Sequence, residues 1–360
     1  MKYQSKDHPI ATALGYITKW HSFWNPLVLM HPLRPLIQGY YGRIMDTLIR
    51  NELENRFKEL KQRVSLNQEI ADEKRAGDRS VVTLAIEAYM AENKHTDLMK
   101  SPKLEEHFAR YASYQIRLFL FAGNDTTSST IVYVYHLLSL HPEVLEAMRK
   151  EHHSVFGRDV SKAADLLVER PALLNQCKYT MAVIKETLRL YPPAATMRAG
   201  RPGISINDRH GNIYPMDYVG TTILHPAVHR NPRVWPQPDK FLPERFLVEQ
   251  GHELFPYPPA YRPFEQGPRN CIGQTLVWQE IQIALVLTVR KFDITPAYDE
   301  RDRVLEKSFI HQMKRKLGLN PVKTVNGDRA YQTEKAGTHP ADGYPCRVTR
   351  SDWVEKAGRE

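Results

Sequence analysis

The chain has 360 residues, 42% of them hydrophobic and 25% charged, a globular composition with material for one large core or two modest ones. Its formal net charge of +9 is dispersed, with no block of five like charges, so it reads either as a soluble basic surface or as a docking face for an acidic partner; no basic-aromatic module points to nucleic acid. The three cysteines, Cys177, Cys271 and Cys346, form no CxxC pair, which excludes a disulfide framework and a zinc ribbon and favours a reducing compartment.

Gly, Pro and Ser do not pool into a linker and no repeat is present, so the chain reads as one compact body. The longest apolar run, 281–289, falls far below the ~20 residues a bilayer crossing needs. The start, MKYQSKDHPI, is polar and lacks the character of a signal peptide.

Residues 9–45 mix aromatics and prolines. Apolar residues at helical spacing, among them Ile44, Leu48, Leu53, Phe57 and Leu60, predict a helix over roughly 40–64. A second follows at about 80–92. The longest pattern runs from about 103 to 140 and is stopped by His141-Pro142. At 1.5 Å per residue that helix would be about 55 Å long, with its centre buried. The centre reads Phe121-Ala122-Gly123-Asn124-Asp125-Thr126-Thr127, and Gly, Asn, Asp and Thr are poor helix formers. Two readings stand: a buried helix that gives up stability for a functional reason, or a helix that ends near Gly123 with Asp125 capping the next. Further helices are expected at 142–156 and 174–190. From 192 to 268 prolines alternate with short apolar runs, giving short strands at 205–206 and 221–224 within coil. A last good helix is expected from about 273 to 292, and the tail from 294 reads as strands and loops. The fold class is mainly α with a minor β part.

A lone cysteine is usually a small buried hydrophobe, so any role for Cys271 rests on its neighbours, Phe264-Glu265-Gln266-Gly267-Pro268-Arg269-Asn270-Cys271-Ile272-Gly273. A thiolate metal ligand needs nearby backbone N–H donors and a helix N-terminus, and Cys271 stands just before the last helix. Gly267 and Gly273 permit a tight turn and close approach of a flat group. Arg269 can pair with a carboxylate, and Phe264 can pack beside the sulfur.

The run matches Phe-x-x-Gly-x-Arg-x-Cys-x-Gly at all five fixed positions and so resembles the haem-binding loop of the cytochromes P450. The resemblance implies the cytochrome P450 fold and makes Cys271 the axial thiolate, hence the metal ligand, of haem b (iron protoporphyrin IX), with Phe264, Gly267, Arg269 and Gly273 around it. Lys185-Glu186-Thr187-Leu188-Arg189 resembles the family's Glu-x-x-Arg helix. Glu146/Arg149 and Glu300/Arg303 share that spacing, but only Glu186 is followed by Leu190-Tyr191-Pro192-Pro193 and precedes Cys271 by 85 residues. Positions i and i+3 share a helix face. Phe241-Leu242-Pro243-Glu244-Arg245-Phe246 resembles the family's Pro-Glu-Arg-Phe segment, so Glu186, Arg189 and Arg245 are expected to form a buried, structural triad behind the loop.

Ala122-Gly123-Asn124-Asp125-Thr126-Thr127 resembles the oxygen-binding segment. By that resemblance Thr126 holds the oxygen and an ordered water, Asp125 relays protons, and Ala122 and Gly123 lie beside the haem. Arg198 is either a second propionate partner or a surface arginine after a turn, and 194–197 would line a substrate pocket. The implied reaction inserts one atom of O2 into an apolar organic substrate, with electrons from an NADPH-dependent flavin reductase that Arg262, Arg269 and Lys291 could help dock. Wording around the motifs resembles filamentous-fungal members of secondary metabolism. Asp125-Thr126 argues against members that rearrange peroxides without O2.

The resemblance covers roughly residues 80–350. Only 124 residues precede Asp125, where the family usually has far more. An N-terminally incomplete fold is therefore expected, lacking the anchor, the first helices and strands, and the helix that offers a Trp or Arg to the propionates. A truncated product, a partial gene model or a splice form would each give this. Two outcomes stay open: an active monooxygenase, or a non-catalytic fragment with impaired haem binding. Residues 9–45 resemble the region between two substrate-roof helices that touches the membrane in microsomal members. The resemblance thus implies the cytoplasmic face of the endoplasmic reticulum for the full-length member, reached through these residues or a missing anchor.

Overall fold

The computed structural model describes residues 8–22, 25–65, 80–93, 101–318, 324–335 and 337–353. The chain divides into two compact units, Met1–Asn124 and Asp125–Glu360.

The first unit is helical. It comprises α1 (Pro9–Lys19), α2 (Pro26–Leu29), α3 (Arg34–Ser65), α4 (Val81–Glu92) and the start of α5 (Glu106–Leu140). The stretch of mixed aromatics and prolines holds two helices and the start of a third, because Pro9, Pro26 and Pro35 sit at first-turn positions. There the missing N–H costs nothing, and the fixed φ suits a helix. His8 Nδ1 accepts the Ile10 N–H before Pro9, and Asn25 Oδ1 accepts the Leu27 N–H before Pro26. Phe23 and Trp24, part of that stretch, lie outside the described residues. Ile49, Leu53, Phe57 and Leu60 on α3 meet Ile86 and Tyr89 on α4 and Leu104 in one buried cluster. Ala13, Leu14 and Met45 form a second.

Helix α5 runs unbroken through Gly123, so the reading in which it ends there is not what the chain adopts. Two of its hydroxyls fold back on the helix: Ser128 Oγ donates to the Asp125 carbonyl (3.1 Å) and Thr130 Oγ1 to the Thr126 carbonyl (2.9 Å).

The second unit adds α6 (Pro142–Phe156), α7 (Ala163–Glu169), α8 (Lys178–Leu190), α9 (His225–His229), α10 (Gln274–Thr288), α11 (Tyr298–Glu306) and α12 (Phe309–Lys316). Its strands pair antiparallel, two at a time. β1 (Thr196–Ala199) pairs with β4 (Gly220–Ile223), and β2 (Ser205–Asn207) with β3 (Ile213–Pro215). β5 (Phe292–Pro296) pairs with β8 (Cys346–Arg350), and β6 (Gln332–Lys335) with β7 (Gly337–Pro340). The core brings together Val134, Leu137 and Leu138 of α5, Val144 and Met148 of α6, Val183, Ile184 and Leu188 of α8, and Ile281 and Leu285 of α10. Three expectations are corrected. Helix α8 begins at Lys178, because Glu151 of α6 accepts the Tyr179 and Thr180 N–H groups (2.6 and 2.9 Å), a cap that no local signal announces. Helix α10 ends at Thr288 and Phe292 opens β5. The tail holds α11 and α12; α11, YDERDRVLE, has too few apolar residues to show a stripe.

Candidate functional site

Cys271 is exposed and unpaired, two residues before the Gly273 that precedes α10 by a single position. Its loop is closed by backbone bonds: the Cys271 N–H donates to the Phe264 carbonyl (2.8 Å), and the Asn270 N–H to that of Gly267 (3.1 Å). The turn requires left-handed backbone at Gly267 (φ +78°) and Glu265 (φ +60°), free for glycine and strained for glutamate. A Cβ on Gly273 would lie 3.9 Å from Cys271 Sγ, so anything longer would crowd the sulfur. Phe264 packs edge-on against Trp278 of α10, with ring centroids 4.8 Å apart, which fastens the loop to its helix. No side chain caps α10 at Gly273, so the helix's positive end is left to the loop that carries the thiol.

Behind this loop lies a charge cluster with no water access. Glu186, Arg189 and Arg245 are each 0% exposed. Arg189 grips Glu186 with two parallel bonds, Nε to Oε2 (2.8 Å) and Nη2 to Oε1 (2.7 Å), the geometry an arginine fork favours. Arg245 Nε reaches Oε1 at 3.2 Å, and the Leu242 N–H adds a third donor to that oxygen at 3.0 Å. Two buried cations thus face one carboxylate, and backbone carbonyls take most of the remaining N–H groups, while Arg245 Nη1 is buried without a partner. His229, Pro238 and Lys240 accept from Arg189, and Gln237 accepts from Arg245. Trp235 lies under the Arg189 guanidinium at 5.1 Å. Burial pulls the Arg245 guanidinium below its usual range, against the pull of Glu186.

Loop and triad are joined by Glu265, His225 and His229, to which the sequence reasoning gave no role, and by Arg262, which it named only for docking. Glu265 accepts from Arg262 Nη2 (2.9 Å) and His225 Nε2 (2.8 Å). The Arg262 bond, chiefly, with help from His225 and Thr196, holds its carboxyl down at about 2 despite partial burial. His225 also faces the Ala194 carbonyl at 2.8 Å. One turn on, His229 donates from Nδ1 to the Arg189 carbonyl (3.0 Å) and accepts the Arg262 N–H at Nε2 (2.9 Å). That makes it a neutral ring, and burial lowers its pKa to about 3. The i, i+4 histidines of α9 were the available clue, since that spacing sets both on one face.

Arg198 on β1 is 48% exposed at its side chain, 3.8 Å from Glu265 and bonded to its own Met197 carbonyl, which places it beside the cysteine loop. Arg269 is exposed, whereas Arg262 is turned in toward Glu265. A groove of about 590 Å³ beside the loop is lined by Lys185, Phe246, Phe255, Tyr261, Asn270 and Gln274. Ala122, Gly123, Asp125 and Thr126 share α5, and a Cβ at Gly123 would meet nothing within 4 Å. Asp125 is 9% exposed, with both oxygens engaged by β7: Oδ2 accepts the Gly337 N–H (2.6 Å) and Oδ1 faces His339 Nε2 (3.0 Å). In the first unit a cavity of about 360 Å³ is lined by Leu14, Ile17, Met45, Leu118 and Phe121, with Arg117 among the polar groups.

A mainly helical chain with an exposed cysteine on a strained loop at a helix N-terminus, braced by a Glu-Arg-Arg cluster, defines the class of the haem-thiolate proteins. The sequence model of the family "Cytochrome P450" matches residues 1–319, and the chain belongs to that family. It is 39% identical over 351 residues to cytochrome P450 monooxygenase polC of Polytolypa hystricis, covering 96% of this chain and 58% of that protein. Cytochrome P450 monooxygenase acrF of Aspergillus aculeatus is 31% identical over 341 residues, with 89% and 63% covered. Cytochrome P450 3A29 of Sus scrofa is 32% identical over 278 residues, with 76% and 50% covered. A crystal structure of the cytochrome P450DA heme domain superposes with a TM-score of 0.63 at 19% identity, covering 98% of this chain and 63% of that one. The chain thus spans about 60% of the length of the first two relatives. No helix among the described residues is long and apolar enough to cross a membrane.

The family implies a haem cofactor, and the residues present fit one. Among the described residues, the only cluster of three His, Cys, Asp or Glu atoms close enough to share a metal is Glu151, His152 and Cys177. Cys271 belongs to no such cluster. A metal on Cys271 must bring its other ligands with it, as a porphyrin iron does.

Proposed function

We propose that this chain is the catalytic part of a haem-thiolate monooxygenase that inserts one atom of O2 into an apolar organic substrate, in secondary metabolism. The observation that carries the reading is Cys271, an exposed thiol at a helix N-terminus without a side-chain cap, which belongs to no cluster of three metal-ligating side chains among the described residues. The cofactor is haem b, held by the Cys271 thiolate, with Phe264 packed beside the sulfur and Gly267 and Gly273 keeping the loop tight. Arg269, exposed at the loop, takes one propionate, and Arg198 the second. Haem, when bound, supplies the iron redox chemistry that reduces and splits O2. This chain's part is to orient and protonate. The Thr126 hydroxyl holds oxygen and a water by hydrogen bonds, Asp125 delivers protons from its carboxylate, and Ala122 and Gly123 leave room beside the ring.

Leu27 (81% exposed), Met30 (82%), Leu33, Leu36 and Tyr40 form an apolar surface on α2 and the start of α3. It supports membrane association through residues 9–45 at the cytoplasmic face of the endoplasmic reticulum. Electrons come from an NADPH-dependent flavin reductase, for which the exposed Arg269 and the groove beside the loop offer a docking face.

The test is the absorption spectrum of the chain loaded with haem, reduced and exposed to carbon monoxide, with haem stoichiometry measured alongside. One haem per chain with a thiolate-type Soret band is expected, and Cys271→Ser abolishes that band. A histidine-type band in the parent protein, or an unchanged band in Cys271→Ser, overturns the reading.

A further inference from the structure

A carboxylate that hands protons to an oxygen site must be recharged, and Asp125 is almost buried. Its side chain is 12% exposed and touches two donors on β7. The Gly337 N–H, 2.6 Å from Oδ2, is a backbone amide and keeps its proton. The other donor, His339 Nε2, stands 3.0 Å from Oδ1 on a ring that is 21% exposed. Of the two, only the imidazole meets water and has a second ring nitrogen that can take up a proton as the first gives one away.

The approach is built rather than incidental. A Cβ on residue 337 would run into Asp125 Oδ2 and come within 3.2 Å of the Pro193 carbonyl, so a side chain there would displace the Asp125 carboxylate from its present contact. The hairpin is held from both sides. Ser129, one turn after Asp125, donates to the Thr338 carbonyl. The Thr338 N–H donates to the Pro193 carbonyl (2.9 Å), and Thr338 Oγ1 and Gln332 Nε2 both donate to that of Pro192 (3.0 Å each). Asp125 is therefore fixed by contacts about 210 residues away in sequence.

We propose that His339 recharges Asp125 with protons from solvent. This rests on the monooxygenase reading, which makes Asp125 a proton donor. In the step, the Nε2–H bond breaks as its proton forms an O–H bond at Oδ1, while a solvent hydronium ion protonates Nδ1 and leaves as water. One proton enters, the ring stays neutral, and the carboxylate becomes the neutral acid. Exchange with water restores Nε2–H. His339 acts through Asp125 and touches no reacting atom, so it is a positioning residue that also carries the proton.

Two measurements test this. The first needs no haem: the full chain with 15N-labelled histidine is examined by long-range 1H–15N NMR, with the His339→Gln variant assigning the signal. The Nε2–H form is expected in the parent, and its signature shifts in Asp125→Asn. A ring carrying its proton on Nδ1, or one blind to Asp125→Asn, overturns the proposal. The second uses the haem-loaded protein with a flavin reductase, measuring product per O2 consumed and the solvent deuterium isotope effect. His339→Gln keeps an N–H donor for Oδ1 but cannot relay. Coupled turnover should fall by about a hundredfold or more, the isotope effect should change, and substrate KM should hold. Parent-like coupling and isotope effect in His339→Gln overturn the relay. Absence of a thiolate-type carbon monoxide band in the parent overturns the monooxygenase reading and the relay with it. The NMR result would then report a structural contact alone.

Discussion

Replacing Glu186 by glutamine changes no shape and removes one charge from a place with no water. In the parent, Oε1 and Oε2 receive four N–H donors, two from Arg189, one from Arg245 and one from Leu242. In Glu186→Gln two fully buried guanidinium groups face no anion, and one amide NH2 points at donors. Breaking a buried pair by removing one partner costs about 3–5 kcal/mol, because the remaining charge stays desolvated. Here two charges remain, so the upper end applies. That is a large share of the roughly 5–15 kcal/mol that holds a domain folded. At roughly 2–4 °C per kcal/mol for a unit of this size, the midpoint should fall by about 10 °C or more, read by circular dichroism on the full chain. Arg245→Met removes one surplus cation, so the double variant Glu186→Gln/Arg245→Met should be more stable than Glu186→Gln alone. A Glu186→Gln midpoint within about 3 °C of the parent, or a double variant worse than the single, would refute the account of the cluster as a desolvated charge balance.

The two arginines of that cluster should not be equal: Arg189 makes five side-chain hydrogen bonds and Arg245 two, so Arg189→Lys should cost more stability than Arg245→Lys in urea unfolding. Gly200→Ala should destabilise the second unit by several kcal/mol, beyond the roughly 1 kcal/mol of an ordinary substitution, since its Cβ would overlap the Met216 carbonyl and lie 2.7 Å from that of Val219; a neutral result would disprove the close approach. Stability should also fall with acid. His152 and His229, both lowered to about 3 by burial, are neutral in the fold but bind protons below about 6.5 when unfolded. Each therefore contributes stability that is complete above pH 6.5 and lost as pH falls toward 3, by about 1.4 kcal/mol per pH unit. His152→Gln should flatten the slope of stability between pH 6 and 4 by about one proton, and an unchanged slope would exclude its burial as the cause. Glu265, held at about 2 mainly by Arg262, adds a loss that begins only below about pH 4.5, which Glu265→Gln removes.

What the sequence determined by itself was local and chemical. Short-range patterns settle whether a helix forms at 106–140 or 142–156, residue types at fixed spacing placed the thiol loop before its helix, and the resemblance to the cytochromes P450 pointed to Glu186, Arg189 and Arg245 as one cluster. The prolines of 9–45 carried a first-turn signal that a mixed composition hides, and α11 lacks any apolar stripe to see. The tertiary structure alone decided the rest. Glu265, His225, His229 and Arg262 join loop to triad through bonds that span 33 or 40 residues, and nothing in their local sequence says which partner each nitrogen will meet. The same holds for the centre of α5. Its Gly-Asn-Asp-Thr run is locally a poor helix, yet the helix continues, with Asp125 tied to Gly337 and His339. Propensity reads a few neighbours along the chain, whereas a buried carboxylate is satisfied by whichever distant donors the fold delivers.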